Sequence, residues 1–223
     1  MTKIAVLHTS FVFVSVEPII NDLLAELIPD AEVIHFVDSD VLATVQRENG
    51  ISDASAARMV HLAEAAEAAG ADVIFSACSS LGPALDVAAR HVHTPVLKID
   101  EAMTRLAAES ADRVGILATV PTTLAPTADL VAGHARRLGR DVAVTTRLAE
   151  GAFDTLMRGD RERHDAMVLE QAAALAAEVD LIVLAQASMS RLVGRIEEAT
   201  GLRVLSSPRL GVADLADRVR RTS

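Results

Sequence analysis

A single cysteine, Cys78, stands between an apolar run at residues 73–76 and a helix-opening stretch that holds Ser79, Ser80 and Pro83. A thiol placed where a buried strand meets a helix start is surrounded by unpaired backbone N–H groups and the positive end of the helix dipole. Both favour ionisation, and the thiolate is the form that acts as base or nucleophile. Cysteine outside disulfides is also among the side chains most often simply buried, so placement alone leaves a catalytic and a packing role open. Other strand ends carry small polar groups: His8, Thr9 and Ser10 after the first, Thr119, Thr122 and Thr123 after the fifth, Gln186 and Ser188 after the seventh. Hydroxyls and helix-start amides are good donors to a carboxylate, which points to a small carboxylic acid as ligand. His8 is the strand-end side chain whose ordinary pKa lies near neutrality. It is the candidate for a second proton carrier, and a hydrogen-bonded structural histidine at the crevice rim is the competing reading.

What must position these residues is written in the chain as a diverged duplication. The segment KIAVLHTS at residues 3–10 recurs in pattern as RVGILATV at 113–120, an offset of 110, and GADVIFSACSSL at 70–81 recurs as EVDLIVLAQASM at 178–189, an offset of 108. Short β-branched runs alternate with Ala/Leu-rich amphipathic stretches, the pattern of parallel strands with crossover helices. Strands are predicted at residues 4–7, 32–36, 73–76 and 96–99, and again at 114–117, 142–146, 181–184 and 204–205. Pro18, with Glu17, opens the helix before Ile19, and Ser52/Asp53 caps the helix that runs to Ala69. These elements give an α/β fold of two pseudo-twofold-related lobes, each a parallel four-stranded sheet flanked by helices, with the site in the inter-lobe cleft. Lobe 1 is assigned to residues 1–98 and 207–223 and lobe 2 to 99–206, with no Pro/Gly/Ser-rich linker between them. By offset Thr9 pairs with Thr119, Ser80 with Ser188, and Cys78 with Gln186.

Composition narrows the function classes. The 223 residues are 51% hydrophobic with 2% aromatics and neither Trp nor Tyr, so the core rests on Ala, Val, Leu and Ile. A net charge of −10, without a Lys/Arg stripe, argues against a nucleic-acid partner. The N-terminus has no signal-like flank and no apolar run reaches spanning length, so a cytoplasmic protein without membrane contact is expected. One cysteine allows no intramolecular disulfide. His35, His61, His91, His93, His134 and His164 lack ligand spacing, and no metal is expected. Glycine-rich nucleotide motifs and the serine-hydrolase elbow are missing. The run RGDRERHD at 158–165 reads as the solvated start of a helix. Arg191 and Arg195, four apart on one helix face, are expected to pair with Glu197/Glu198 or other neighbours. Asp100 and Glu101, near the lobe crossing, are either site residues or helix caps.

The segments VIFSACSSLG, VGILATVPTT and LIVLAQASM, in this order and spacing and in duplicated halves, resemble the aspartate/glutamate racemase superfamily, which includes hydantoin racemases, maleate isomerases and arylmalonate decarboxylases. The resemblance covers nearly the whole chain. It implies a cofactor-free site between two α/β lobes, where two opposed cysteines remove and return a proton at a carbon next to a carboxylate. Cys78 matches the first cysteine, Ser79 and Ser80 match residues that help hold the substrate, and Thr119 and Thr122 match a carboxylate-binding loop. It implies homo-oligomers as well. The second cysteine is replaced by Gln186, which neither gives nor takes a proton near neutral pH. The Asp or Asn expected after the first strand is replaced by His8, so an amino substrate is not supported.

One thiol suffices for chemistry on a single face: decarboxylation with stereospecific protonation, tautomerisation, or cis-trans isomerisation through a Cys adduct. The expected protein is a one-cysteine racemase-like enzyme, isomerase or decarboxylase, with Cys78 and His8 as catalytic residues. Thr9, Ser10, Ser79, Ser80, Thr119, Thr122, Gln186 and Ser188 bind the acid, and no cofactor is needed. The alternative is a non-catalytic two-lobed organic-acid binding protein.

Overall fold

The computed structural model describes the chain apart from residues 12, 13, 15–17 and 223 and the side chain of residue 222. Two compact units are formed, Met1–Ile99 with Pro208–Ser223, and Asp100–Ser207. The first contains β1 (Lys3–His8), α1 (Ile19–Leu27), β2 (Glu32–Val37), α2 (Val41–Glu48), α3 (Asp53–Ala68), β3 (Val73–Ser76), α4 (Gly82–Ala88) and β4 (Val96–Lys98). The second contains α5 (Glu101–Ser110), β5 (Arg113–Ala118), α6 (Leu124–Leu138), β6 (Ala143–Leu148), α7 (Ala152–Met157), α8 (Arg161–Ala176), β7 (Leu181–Leu184), α9 (Val193–Thr200) and β8 (Arg203–Ser206). The closing helix α10 (Ser207–Thr222) packs on the first unit.

Each sheet is parallel and four-stranded, in the order β2-β1-β3-β4 and β6-β5-β7-β8. Parallel strands covered by helices on both faces must be apolar on both, which is why β1 and β5 are buried from their second residue onward. Side chains alternate across the first sheet. Ala5, Leu7 and Ile74 meet Val41, Met59 and Leu85 on one face, while Ile4, Val6 and Phe75 meet Ile20, Leu24, Val212 and Leu215 on the other. In the second unit Leu117, Ile182 and Leu184 pack against Val168, Leu175 and Ile196.

The duplication is not an exact copy in the cores. Where β1 has Ala5, β5 has Gly115, and a Cβ there would lie 2.8 Å from the Leu175 side chain. With hydrogen in place of a methyl group, Gly115 leaves room for the Leu175 and Val179 side chains against β5. Gly211 plays a similar part in α10, since any side chain at that position would collide with the Ile99 carbonyl at the end of β4. Helix starts follow local chemistry: the Ser52 hydroxyl accepts from Ser55 N–H at 3.3 Å, and the Asp160 carboxylate accepts from Arg163 N–H at 3.1 Å. Pro18 directly precedes α1; Glu17 lies outside the described residues. Among the described residues no helix is long and apolar enough to cross a membrane.

The carboxyl ends of the strands repeat down to single hydrogen bonds. Ala77 N–H donates to Leu7 O at 3.0 Å as the chain leaves β3, and Ala185 N–H donates to Leu117 O at 3.0 Å as it leaves β7. The residue after each of these, Cys78 in one unit and Gln186 in the other, is thereby placed at the same point of its sheet.

Candidate active site

Cys78 takes an extended backbone conformation (φ −130°, ψ 114°) immediately before the short helical turn Ser79–Leu81, which leads into α4 with Pro83 in its first turn. Cys78 is half-buried and packs against the cluster that contains Ala5, Leu7 and Leu81. The neighbouring strand ends supply polar groups held close to rigid backbone: Thr9, Ser79 and Ser80 are buried, and Ser10 is half-buried.

Gln186 has nearly the same backbone conformation (φ −140°, ψ 139°) before its own helical turn, Ala187–Leu192. Its Oε1 accepts three hydrogen bonds, from Thr119 N–H at 2.6 Å, Thr119 Oγ1 at 3.1 Å and Val120 N–H at 3.2 Å. Two backbone amides and a hydroxyl thus converge on one oxygen, the arrangement that stabilises an oxyanion when the acceptor carries charge. Donors of Thr119 that the sequence assigns to a ligand are engaged by Gln186 here. Thr123 Oγ1 donates to Val120 O at 2.8 Å and fixes the same turn, with Thr122 half-buried beside it and Ser188 buried.

His8, at the last residue of β1, is 1% exposed, and its Nε2 lies 3.0 Å from Nδ1 of His35 on β2. Burial first, and the neighbouring imidazole second, push the His8 pKa down to about 4. His35 is shifted downward too, by burial. The near-neutral titration expected of an unperturbed histidine therefore does not apply to His8, which is neutral at pH 7. Sequence reasoning passed over His35 because residues 27 apart meet only through strand pairing: the register sets Val6 against His35 and His8 against Val37, so the two rings share a face.

The charged run at 158–165 also reads differently in the structure. It does open a helix, α8, but only its first part is solvated: His164 and Asp165 are buried. Asp165 accepts from His164 Nδ1 at 2.9 Å, is gripped by the Arg191 guanidinium, and accepts from Arg195 at 3.0 Å. The partner of the two arginines is thus Asp165, 26 and 30 residues away in sequence, in place of Glu197 or Glu198. Burial alone would raise the Asp165 pKa, but the hydrogen bonds from Arg191 and His164 outweigh it and bring the carboxyl down to about 2. Glu101 contacts His134 Nε2 at 3.3 Å within the second unit, and Asp100 occupies the N-cap position of α5 without a side-chain capping hydrogen bond. Among the described residues no group of three or more His, Cys, Asp or Glu side chains is arranged to hold a metal ion.

A model of the Asp/Glu/hydantoin racemase family matches residues 14–215. The chain belongs to that family, and so to the racemase/isomerase superfamily of enzymes. No curated protein sequence matches it. Among solved structures it is similar to a glutamate racemase isoform from Bacillus anthracis (14% identity, TM-score 0.75, covering 100% of this chain and 83% of the other). An allantoin racemase from Klebsiella pneumoniae aligns at 19% identity and TM-score 0.62, over 100% of this chain and 89% of the other. An unliganded arylmalonate decarboxylase aligns at 17% identity and TM-score 0.58, over 98% and 92%. Identities this low establish a shared fold.

Proposed function

We propose that this protein is a cofactor-independent, one-cysteine member of its family that acts on a small carboxylic acid by proton transfer, or through a Cys adduct, at the carbon next to the carboxylate. The reading rests on one observation: a half-buried Cys78 occupies the strand-end position at which the second unit carries Gln186. An amide side chain cannot exchange a proton near neutral pH, so symmetric two-thiol racemisation is replaced by chemistry from a single face, isomerisation or decarboxylation.

The second unit also indicates how a thiolate is supported. Three donors surround Gln186 Oε1, and the repeat relation sets Thr9 and Ser10 against Thr119 and Val120. Cys78 then has the amides of Thr9 and Ser10 and the Thr9 hydroxyl as its counterpart donors. Stabilisation of negative charge on sulfur by such groups makes the thiolate available at neutral pH. Removal of a proton next to a carboxylate builds enediolate charge on its oxygens, and the hydroxyls and helix-start amides of Ser79 and Ser80 are donors for it. Thr122, Gln186 and Ser188 are assigned as neutral groups that bind and orient without supplying a proton, with Thr119 holding the Gln186 amide in place. His8 is assigned as the second proton-handling group.

The test is incubation with a panel of 2-substituted mono- and dicarboxylic acids in D2O, followed by proton NMR. Deuterium incorporation or loss of CO2 for one of these acids, abolished by Cys78→Ala, is the expected outcome. Thermal stabilisation by an acid with no turnover supports an organic-acid binding protein instead. Turnover that survives Cys78→Ala removes the thiol from the chemistry.

A further inference from the structure

We infer that His35 is the solvent-side half of a two-imidazole proton relay that ends at His8. This inference rests on the proposed role of His8 as a proton-handling group at the end of β1.

Three observations carry it. The rings are bridged, His8 Nε2 to His35 Nδ1, at 3.0 Å with centroids 5.2 Å apart. The pair spans the boundary between interior and solvent: His8 is 1% exposed, whereas His35, on the edge strand β2, is exposed. The remaining ring nitrogen of His8, Nδ1, is buried and has no hydrogen-bond partner among the described residues.

The relay requires one resting tautomer. Were His35 the donor in the bridge, His8 would carry its proton on Nδ1 and would have no lone pair there to take another. With His8 Nε2–H donating to His35 Nδ1, the bridge is made and Nδ1 presents a lone pair. That lone pair is the acceptor for a proton that reaches the end of β1 during turnover.

The transfer then balances without a resident charge. An N–H bond forms at His8 Nδ1 as the Nε2–H bond breaks. The released proton bonds to His35 Nδ1, and the proton on His35 Nε2 leaves to bulk water. Each ring ends neutral in its other tautomer, and in the reverse sequence water protonates His35 Nε2, His35 Nδ1 passes its proton to His8 Nε2, and His8 Nδ1 gives up its own. This resolves a difficulty in the site, since burial and the second ring hold His8 at a pKa of about 4. Alone it would be a weak base near neutral pH, but a relay passes the proton on before a buried imidazolium accumulates. His35 is in these terms a positioning and relay residue with no contact to substrate.

The first test needs no substrate. In full-length protein labelled with 15N-histidine, long-range proton–nitrogen NMR assigns the tautomers, and saturation transfer gives the exchange rate of the His8 ring N–H with water. His35→Gln keeps a hydrogen-bonding side chain but cannot pass a proton on, and exchange of the His8 ring N–H is expected to slow at least 10-fold, with recovery on adding imidazole buffer. A role for His35 in packing alone gives neither the slowing nor the buffer rescue, and that result overturns the relay. Should the variant not fold, the wild-type protein decides: a His8 ring proton no faster than the buried β1 amides of Ile4 and Val6 also overturns it. Use of the relay in turnover is read separately, on an acid identified by deuterium exchange. His35→Gln should lower kcat about 10-fold or more with KM unchanged, and imidazole should restore it. Full activity in His8→Gln sinks the catalytic reading of His8 while leaving the exchange result standing. Loss in His8→Gln with full activity in His35→Gln sinks only the relay.

Discussion

Replacement of Gln186 by alanine isolates what the residue in the second-cysteine position does. In wild type its Oε1 receives the Thr119 and Val120 amides and the Thr119 hydroxyl, and both donor residues are 4% exposed. The hydroxyl can rotate to another acceptor, but two buried amide donors cannot. Each costs about 1–3 kcal/mol if left unsatisfied. Because Gln186 is only half-buried, water entering the vacated space recovers part of this, and a net loss of about 2 kcal/mol is expected. For a chain of this length that lowers Tm by roughly 4–8 °C. Hydrogen exchange provides the local assay: protection of the Thr119 and Val120 amides should fall by about 30-fold, the equivalent of 2 kcal/mol, with the amides of Ile116 and Leu117 less affected. Gln186→Glu keeps the acceptor and makes it charged, so it should match wild type within about 0.5 kcal/mol at pH 7. If Gln186→Ala lies within about 0.5 kcal/mol of wild type and leaves both amides protected, the three-donor clamp has no energetic weight and its counterpart donors do not stabilise a thiolate at Cys78.

Other consequences are measurable by similar means. Because the folded pKa of His8 is depressed from 6.5 to about 4, the unfolded chain binds the proton more readily between those values. Stability should be full above pH 6.5 and fall by about 3 kcal/mol on acidification to pH 4; chemical denaturation of His8→Phe should lack this slope. Asp165, depressed from 3.8 to about 2, contributes about 2 kcal/mol that is complete above pH 4 and lost as pH falls through 2. Thermal unfolding of Asp165→Asn should show that loss at pH 7 and converge on wild type at low pH. Gly211→Ala places a methyl group against the Ile99 carbonyl, which neither backbone can yield to cheaply. It should cost about 3 kcal/mol or more and raise exchange of the α10 amides first.

How much of this was legible in the chain follows from what each feature depends on. The eight strands could be read from period and spacing because buried parallel strands leave near-continuous apolar runs, and duplication supplied a second copy of each. Cys78, Thr119 and Gln186 could be placed because they directly follow such runs. The Gln186 clamp could not, since it depends on which way an amide side chain turns. His8–His35 and the Asp165–Arg191–Arg195 cluster depend on pairing register and helix packing between residues 26 to 30 apart, distances at which side-chain periodicity carries no information. The charged run at 158–165 misled for a related reason: its composition reports solvation on average, whereas one turn of α8 faces the interior and takes its two arginines from the chain after β7. Gly115 and Gly211 were silent as well, because only close approach of a neighbour distinguishes a packing glycine from any other.

The most direct measurement is the fate of one enantiomer of a turned-over acid in D2O with wild type and Cys78→Ala in parallel. A single thiol with no cysteine at position 186 predicts deuterium entering the α position from one face, as exchange with retention or as one enantiomer of a decarboxylated product, and a rate at least 100-fold lower in Cys78→Ala. Equal deuteration from both faces, or a Cys78→Ala rate matching wild type, contradicts it.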